Sequence, residues 1–228
     1  MQKFLLIGSL LFLSDFTAIK LANTINPNII IRENPNIRWF FIHFISNLFV
    51  TINSFPNLIQ FLNDPINSIS TSWNNYSYNT FYISILTHLY HILFFNLTND
   101  DKMHHFLMVF IAGSIEYYKK TIISPTALFF ISGFPGCIDY LLLFLVKLNI
   151  IQKKTEKKIY LFLSTFIRSP GACIISLIGI YNIKYEFYIS NFNGLISLLS
   201  CILVFWNGQY YLMISSIDYG KFIEKNKK

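Results

Sequence analysis

Charge is what this sequence has least of. Only 13% of its 228 residues are Asp, Glu, Lys or Arg, against roughly 25% in an average soluble domain, so an ordinary water-soluble domain is excluded. Cysteine is scarce as well. The three present, Cys137, Cys173 and Cys201, each lie inside an apolar run and share no metal-ligand spacing. A disulfide framework and a thiolate metal centre therefore drop out, and buried free thiols remain. Basic residues are absent from Ser54 to Asn79; they gather from Lys147 to Lys158 and from Lys221 to Lys228, at the ends of apolar runs. No aromatic-laced basic surface forms, so the net charge of +7 is the mark of cytoplasmic loops and not of nucleic-acid binding.

What is present is a succession of apolar runs. Seven segments approach a spanning length: Phe4 to Ile19, Ile37 to Ile52, Thr80 to Leu97, His105 to Tyr118, Thr121 to Leu148, Ile159 to Ile183 and Tyr188 to Ile217. About 20 apolar residues cross a bilayer as a helix. The expected fold is therefore all-α, a polytopic membrane bundle of about six or seven transmembrane helices. Ser132-Gly-Phe-Pro135-Gly136 breaks the fifth segment, which reads as a kinked helix or a re-entrant hairpin, and Arg168-Ser-Pro170-Gly171 interrupts the sixth. The first segment, with Asp15 expected at the end of its span, lacks a small-x-small cleavage site and reads as a retained helix rather than a signal peptide.

The organisation that follows is an N-terminal helix and loop over residues 1–36, a membrane domain over 37–219 and a basic tail over 220–228. If all seven segments span, the basic loops share one side. The positive-inside rule then puts the N-terminus outside or in a lumen and the C-terminus in the cytoplasm, with Asn75-Tyr-Ser77 a glycosylation sequon on the lumenal side.

The most informative residues are the histidines. Four of the five, His88, His91, His104 and His105, crowd the connection between the third and fourth segments. A side chain that exchanges a proton or binds a metal near neutral pH is costly beside a bilayer and is a functional candidate by default. His88 and His91 are three apart and share a helix face. A polar turn, Asn99-Asp100-Asp101, precedes His104-His105, and His91 reaches that pair only if the third helix runs beyond Leu97. Asp101 stands three residues before His104, where a carboxylate fixes a tautomer and raises basicity.

Three chemistries fit these residues. His104 or His105 acts as base or nucleophile in acyl transfer; or the histidines bind zinc; or they cap helix ends at the headgroup level. A di-iron lipid oxidase needs more histidines than this chain has. Two further groups are costly in hydrocarbon, Asp139 and Arg168, which read either as an ion pair with one another or as contacts to a lipid headgroup. His43 and Asn47, one turn apart on the second segment, extend the same polar lining.

Taken together, Asp101-x-x-His104-His105 opening an apolar helix, the preceding His88 and His91, the turn at Asn63-Asp64-Pro65, and the intramembrane Asp139 and Arg168 resemble the TLC family of translocation-associated, Lag1 ceramide synthase and neuronal lipofuscinosis proteins. The likeness covers roughly Arg38 to Tyr219. It implies core helices around a lipid-sized cavity, residence in the endoplasmic reticulum or a related endomembrane, membrane lipids as partners, acyl-CoA as co-substrate and no tightly bound cofactor. It implies active-site roles for His104 and His105, with Asp101 orienting them and His88, His91, His43, Asn47, Asp139 and Arg168 lining the substrate's polar end. Ceramide synthases follow their histidine pair with a longer signature ending in His-Asp and a further acid. Here Gly136-Cys137-Ile138-Asp139 supplies one acid and no His-Asp occurs, so the resemblance reaches the family and not ceramide synthesis itself. The alternative is a lipid-binding or lipid-regulating membrane protein without turnover.

Overall fold

A computed structural model describes residues 2–28 and 34–225; Arg32 and the last three residues of the basic tail lie outside them. Among the described residues there are eight helices and no strand. They are α1 (Gln2–Ile25), α2 (Asn36–Asn63), α3 (Asn75–Phe94), α4 (99–119), α5 (Ile123–Lys147), α6 (Lys153–Tyr181), a short α7 (Ile183–Ile189) and α8 (Asn191–Lys225). Four of them, α1, α5, α6 and α8, are long and apolar enough to cross a membrane. In α2 and α3, Asn, Ser, Thr and His interrupt the apolar face.

Helix ends follow local chemistry. Asn74 caps α3 and Thr98 caps α4, each in a reciprocal capping box, with Ser77 and Asp101 respectively. The Asn99-Asp100-Asp101 stretch is thus the first helical turn and not a polar loop. Lys120 stops α4 in the left-handed region at φ 50°, its N–H donating to the Glu116 carbonyl at 2.8 Å. Asn149, a residue type that tolerates that region, does the same after α5 at φ 62°. Asp64, with Pro65 behind it, ends α2.

Prolines shape the longest helices without breaking them. Pro135 cannot donate to the fourth residue before it, and the turn ahead of it, Phe129–Gly133, widens to π geometry; Pro170 follows a second π turn, Ser164–Arg168. The fifth segment is therefore one continuous, widened helix, and the re-entrant hairpin is not formed. A third π turn, Phe106–Ala112, lies in α4. No proline accounts for it, and we have no sequence explanation.

The central helix α2 packs on α1, α3 and α5. One apolar cluster joins Ile7 and Leu11 of α1 to Ile42 and Val50 of α2 and to Leu86 of α3; another joins Ala18 and Ala22 to Ile37, Phe41 and Phe144. Gly208 lets α8 approach α6, since a Cβ there would stand 2.7 Å from the Ala172 Cβ. The outward faces remain apolar, as with Leu6 62%, Phe16 65%, Leu177 64% and Leu195 57% exposed. So continuous an apolar surface is one that water does not tolerate and hydrocarbon does.

Asp15 is not at a span's end but buried within α1. Its carboxylate accepts from Arg38 Nε at 2.6 Å, from Arg38 Nη2 at 2.5 Å and from the Tyr90 hydroxyl at 2.7 Å. This triad fastens α1, α2 and α3 together. Arg38 is half-buried in this contact.

Candidate functional site

The loop between α3 and α4 is only four residues long, 95–98. It turns the chain so tightly that the end of α3 and the start of α4 face each other. As a result His91 and His105 have ring centroids 5.0 Å apart, and His88 stands 5.5 Å from His104 and 5.3 Å from His105. This corrects the expectation that α3 must run beyond Leu97 for contact: it ends at Phe94, and α4 starts earlier instead. His43 on α2 completes the group, 6.2 Å from both His88 and His91. All five histidines of the chain thus form one cluster.

Their neighbours fix their orientation. Trp39 stacks on His91 at 3.4 Å with the planes 24° apart, and Tyr140 lies 4.4 Å from His43. The Ser84 carbonyl accepts from His88 Nδ1 at 2.7 Å, and the Asp101 carbonyl accepts from His105 Nδ1 at 2.5 Å. A carbonyl cannot donate, so both rings carry the proton on Nδ1 and hold a free lone pair on Nε2. Buried nitrogens without a hydrogen-bond partner remain on His43 (Nδ1), His91 (Nδ1) and His105 (Nε2). Such groups are rare in a settled core and call for an explanation.

Asp101 orients His105, but through its main chain. Its carboxylate accepts from the Thr98 hydroxyl at 2.7 Å and the Thr98 N–H at 2.9 Å, closing the cap of α4. Burial pushes this carboxyl up, yet the two Thr98 hydrogen bonds outweigh it and hold its pKa below the ordinary carboxylate value. The proposed carboxylate–imidazole contact is therefore replaced by a carbonyl–imidazole one.

A cavity of about 280 Å³ opens beside the cluster. His104, His43 and His88 form part of its wall, whereas His91 and His105 stand behind them. Asn47, Asp139 and Arg168 line it too, so most of the sequence-predicted substrate residues meet at one void. Asn47 passes so close to α5 that a Cβ on Gly136 would fall 2.6 Å from its amide nitrogen. Apolar walls come from Val50, Phe81, Leu128 and Ile131, and the widened turns of α4, α5 and α6 all border the space. Such turns are frequent at functional sites because they re-aim side chains.

Asp139 and Arg168 are buried at 8% and 5% exposure, but they are not an ion pair. The ion pairs among the described residues are Asp15–Arg38, Lys119–Glu186 and Lys157–Asp218. Arg168 sits instead against the rings of Tyr211 and Tyr160, 4.7 and 5.7 Å away, and reaches the Tyr160 hydroxyl at a long 3.5 Å. Tyr140, Tyr160, Tyr211, Trp39 and Asn207 were invisible as site residues in the sequence, where aromatics and asparagines are everywhere. Only the adjacency of Tyr140 to Asp139 offered a signal.

Among the described residues, no three His, Cys, Asp or Glu side chains are grouped as metal ligands. Comparison with family models, with curated proteins and with solved structures finds no match to this chain.

Proposed function

We propose that this is a multi-pass, TLC-like membrane protein of about six or seven spans that transfers an acyl group to a lipid, with His104 as the base. The observation that carries the reading is the convergence of all five histidines on one end of a single cavity, with His104 in its wall. Histidine is the side chain best matched to moving a proton near neutral pH, and one positioned base typically gives about 10²–10⁴-fold in rate. A cavity near 280 Å³ is close to the lower end of small-molecule sites, of order 300–1,000 Å³. It suits the reacting groups of a lipid whose tail leaves between helices.

In this reading the hydroxyl or amine of the acceptor lipid attacks the thioester carbonyl of acyl-CoA. His104 takes the acceptor's proton as the new C–O or C–N bond forms, and returns it to the departing thiolate as the C–S bond breaks. His105 and His88 support that exchange from behind and beside it. The first turns of α4 and α6 carry Lys102, Lys153 and Lys154, which favours the cytoplasmic side for this chemistry and an endomembrane, such as the endoplasmic reticulum, for the protein.

The test is lipid mass spectrometry on membranes holding equal amounts of wild type or the His104→Ala/His105→Ala double variant. A lipid species made only with wild type is expected. Identical profiles, with lipid still bound to both proteins, would contradict turnover and favour the lipid-binding reading.

A further inference from the structure

Arg168 is a poorly compensated charge in the cavity wall. It is 5% exposed, its Nε has no hydrogen-bond partner, and no carboxylate among the described residues lies within 4 Å of it. Of the acids in the wall, Glu116 and Asp139, neither forms an ion pair with it, and Asp139 keeps one carboxylate oxygen (Oδ1) without a hydrogen-bond partner. A guanidinium shielded from water without an anion is strongly unfavourable, and two tyrosine faces offset only part of that cost. What Arg168 presents to the void is a set of planar donors suited to an oxyanion, flanked by the Tyr160 and Tyr211 side chains.

We infer that Arg168, with Tyr160 and Tyr211, binds the carboxylate or phosphate of an amphiphile whose head occupies the cavity and whose tail leaves between helices. Tyr211 joins this site to the histidine cluster, with its ring 6.4 Å from the His104 ring and 4.7 Å from the Arg168 guanidinium carbon. The anion is therefore held one tyrosine ring away from His104. The inference narrows the substrate class of the site proposed above to anionic single- or double-chain lipids. It does not require turnover, so the two readings fail separately.

The experiment measures binding of three probes with one tail, oleic acid, oleyl phosphate and oleyl alcohol, to the full chain in nanodiscs at neutral pH. Wild type is expected to hold at least one anionic probe about tenfold or more tighter than the alcohol, the size of a charge-assisted contact. The stronger of the two anions identifies carboxylate or phosphate as the natural group. Inorganic phosphate at millimolar concentration is expected not to displace the probe; displacement would assign the site to free phosphate instead. Arg168→Gln should erase the preference and leave alcohol binding unchanged, which also reports folding. Should that variant misfold, Arg168→Lys decides, with a reduced but surviving preference expected. Equal affinity of wild type for anions and alcohol, or a preference that survives intact in Arg168→Gln, would overturn the inference.

Discussion

Removing Arg38 should loosen the N-terminal helix more than any other single polar change in the bundle. The Asp15 side chain is 8% exposed and that of Arg38 29%, and two charge-assisted hydrogen bonds at 2.6 and 2.5 Å join them. Breaking a fully buried pair by deleting one partner costs about 3–5 kcal/mol, mostly because a charge stays buried alone. Water reaches part of Arg38, so the expectation for Arg38→Gln falls to about 2–3 kcal/mol. Asp15→Asn should cost less, about 1–2 kcal/mol, because the freed guanidinium can turn toward water while its partner is now neutral. Tyr90→Phe removes one bond to the carboxylate. Interhelical hydrogen bonds in membranes average only about 0.6 kcal/mol, and the charge raises this one to about 1. The assay is reversible unfolding in mixed detergent micelles, read by circular dichroism. The double variant Asp15→Asn/Arg38→Gln should be at least about 1 kcal/mol less destabilised than the sum of the singles. Additivity within about 0.5 kcal/mol would mean that the two groups do not interact, and the triad would not be what fastens α1.

Two other outcomes follow from packing and capping. Gly208→Val should destabilise by about 1–3 kcal/mol through overpacking against Ala172, and Ala172→Gly in the same chain should restore part of it; a neutral Gly208→Val by unfolding would contradict the close α6–α8 approach. Asp101 has a folded pKa below its unfolded value of about 3.9, so its contribution is complete above that value and is lost as the pH falls through the folded one. Melting temperature should therefore drop on acidification below about pH 4 more steeply in wild type than in Asp101→Asn, and parallel curves would contradict the capping role.

The sequence displayed the helices well because runs of apolar residues are dictated by the hydrocarbon itself. It displayed the histidines well because they are few. It could not show that His43 joins the other four, since that contact depends on how α2 leans against α3. Nor could it show the fate of Asp101: a carboxylate three residues before a histidine looks the same whether it meets the imidazole or caps the helix. Thr98, three residues ahead of Asp101, has the spacing of a capping box. Asp139 and Arg168 look like natural partners by charge, and only the placement of Tyr160 and Tyr211 around the guanidinium separates them. Pro135 and Pro170 marked the right places for irregular backbone. Whether the chain turns back or merely widens there depends on the neighbours, and here α2 and α8 pack along both halves.

The central claim is that the histidine cluster is one reactive centre with His104 as its working base. It is tested most directly by single-turnover release of the CoA thiol from a long-chain acyl-CoA. The purified chain in nanodiscs containing acceptor lipid is compared with His104→Ala and His105→Ala. The account predicts a loss of about 10²–10⁴-fold for His104→Ala, and a smaller loss for His105→Ala, whose ring stands behind the cavity wall. Wild-type rates in His104→Ala, with both variants folded, would contradict it.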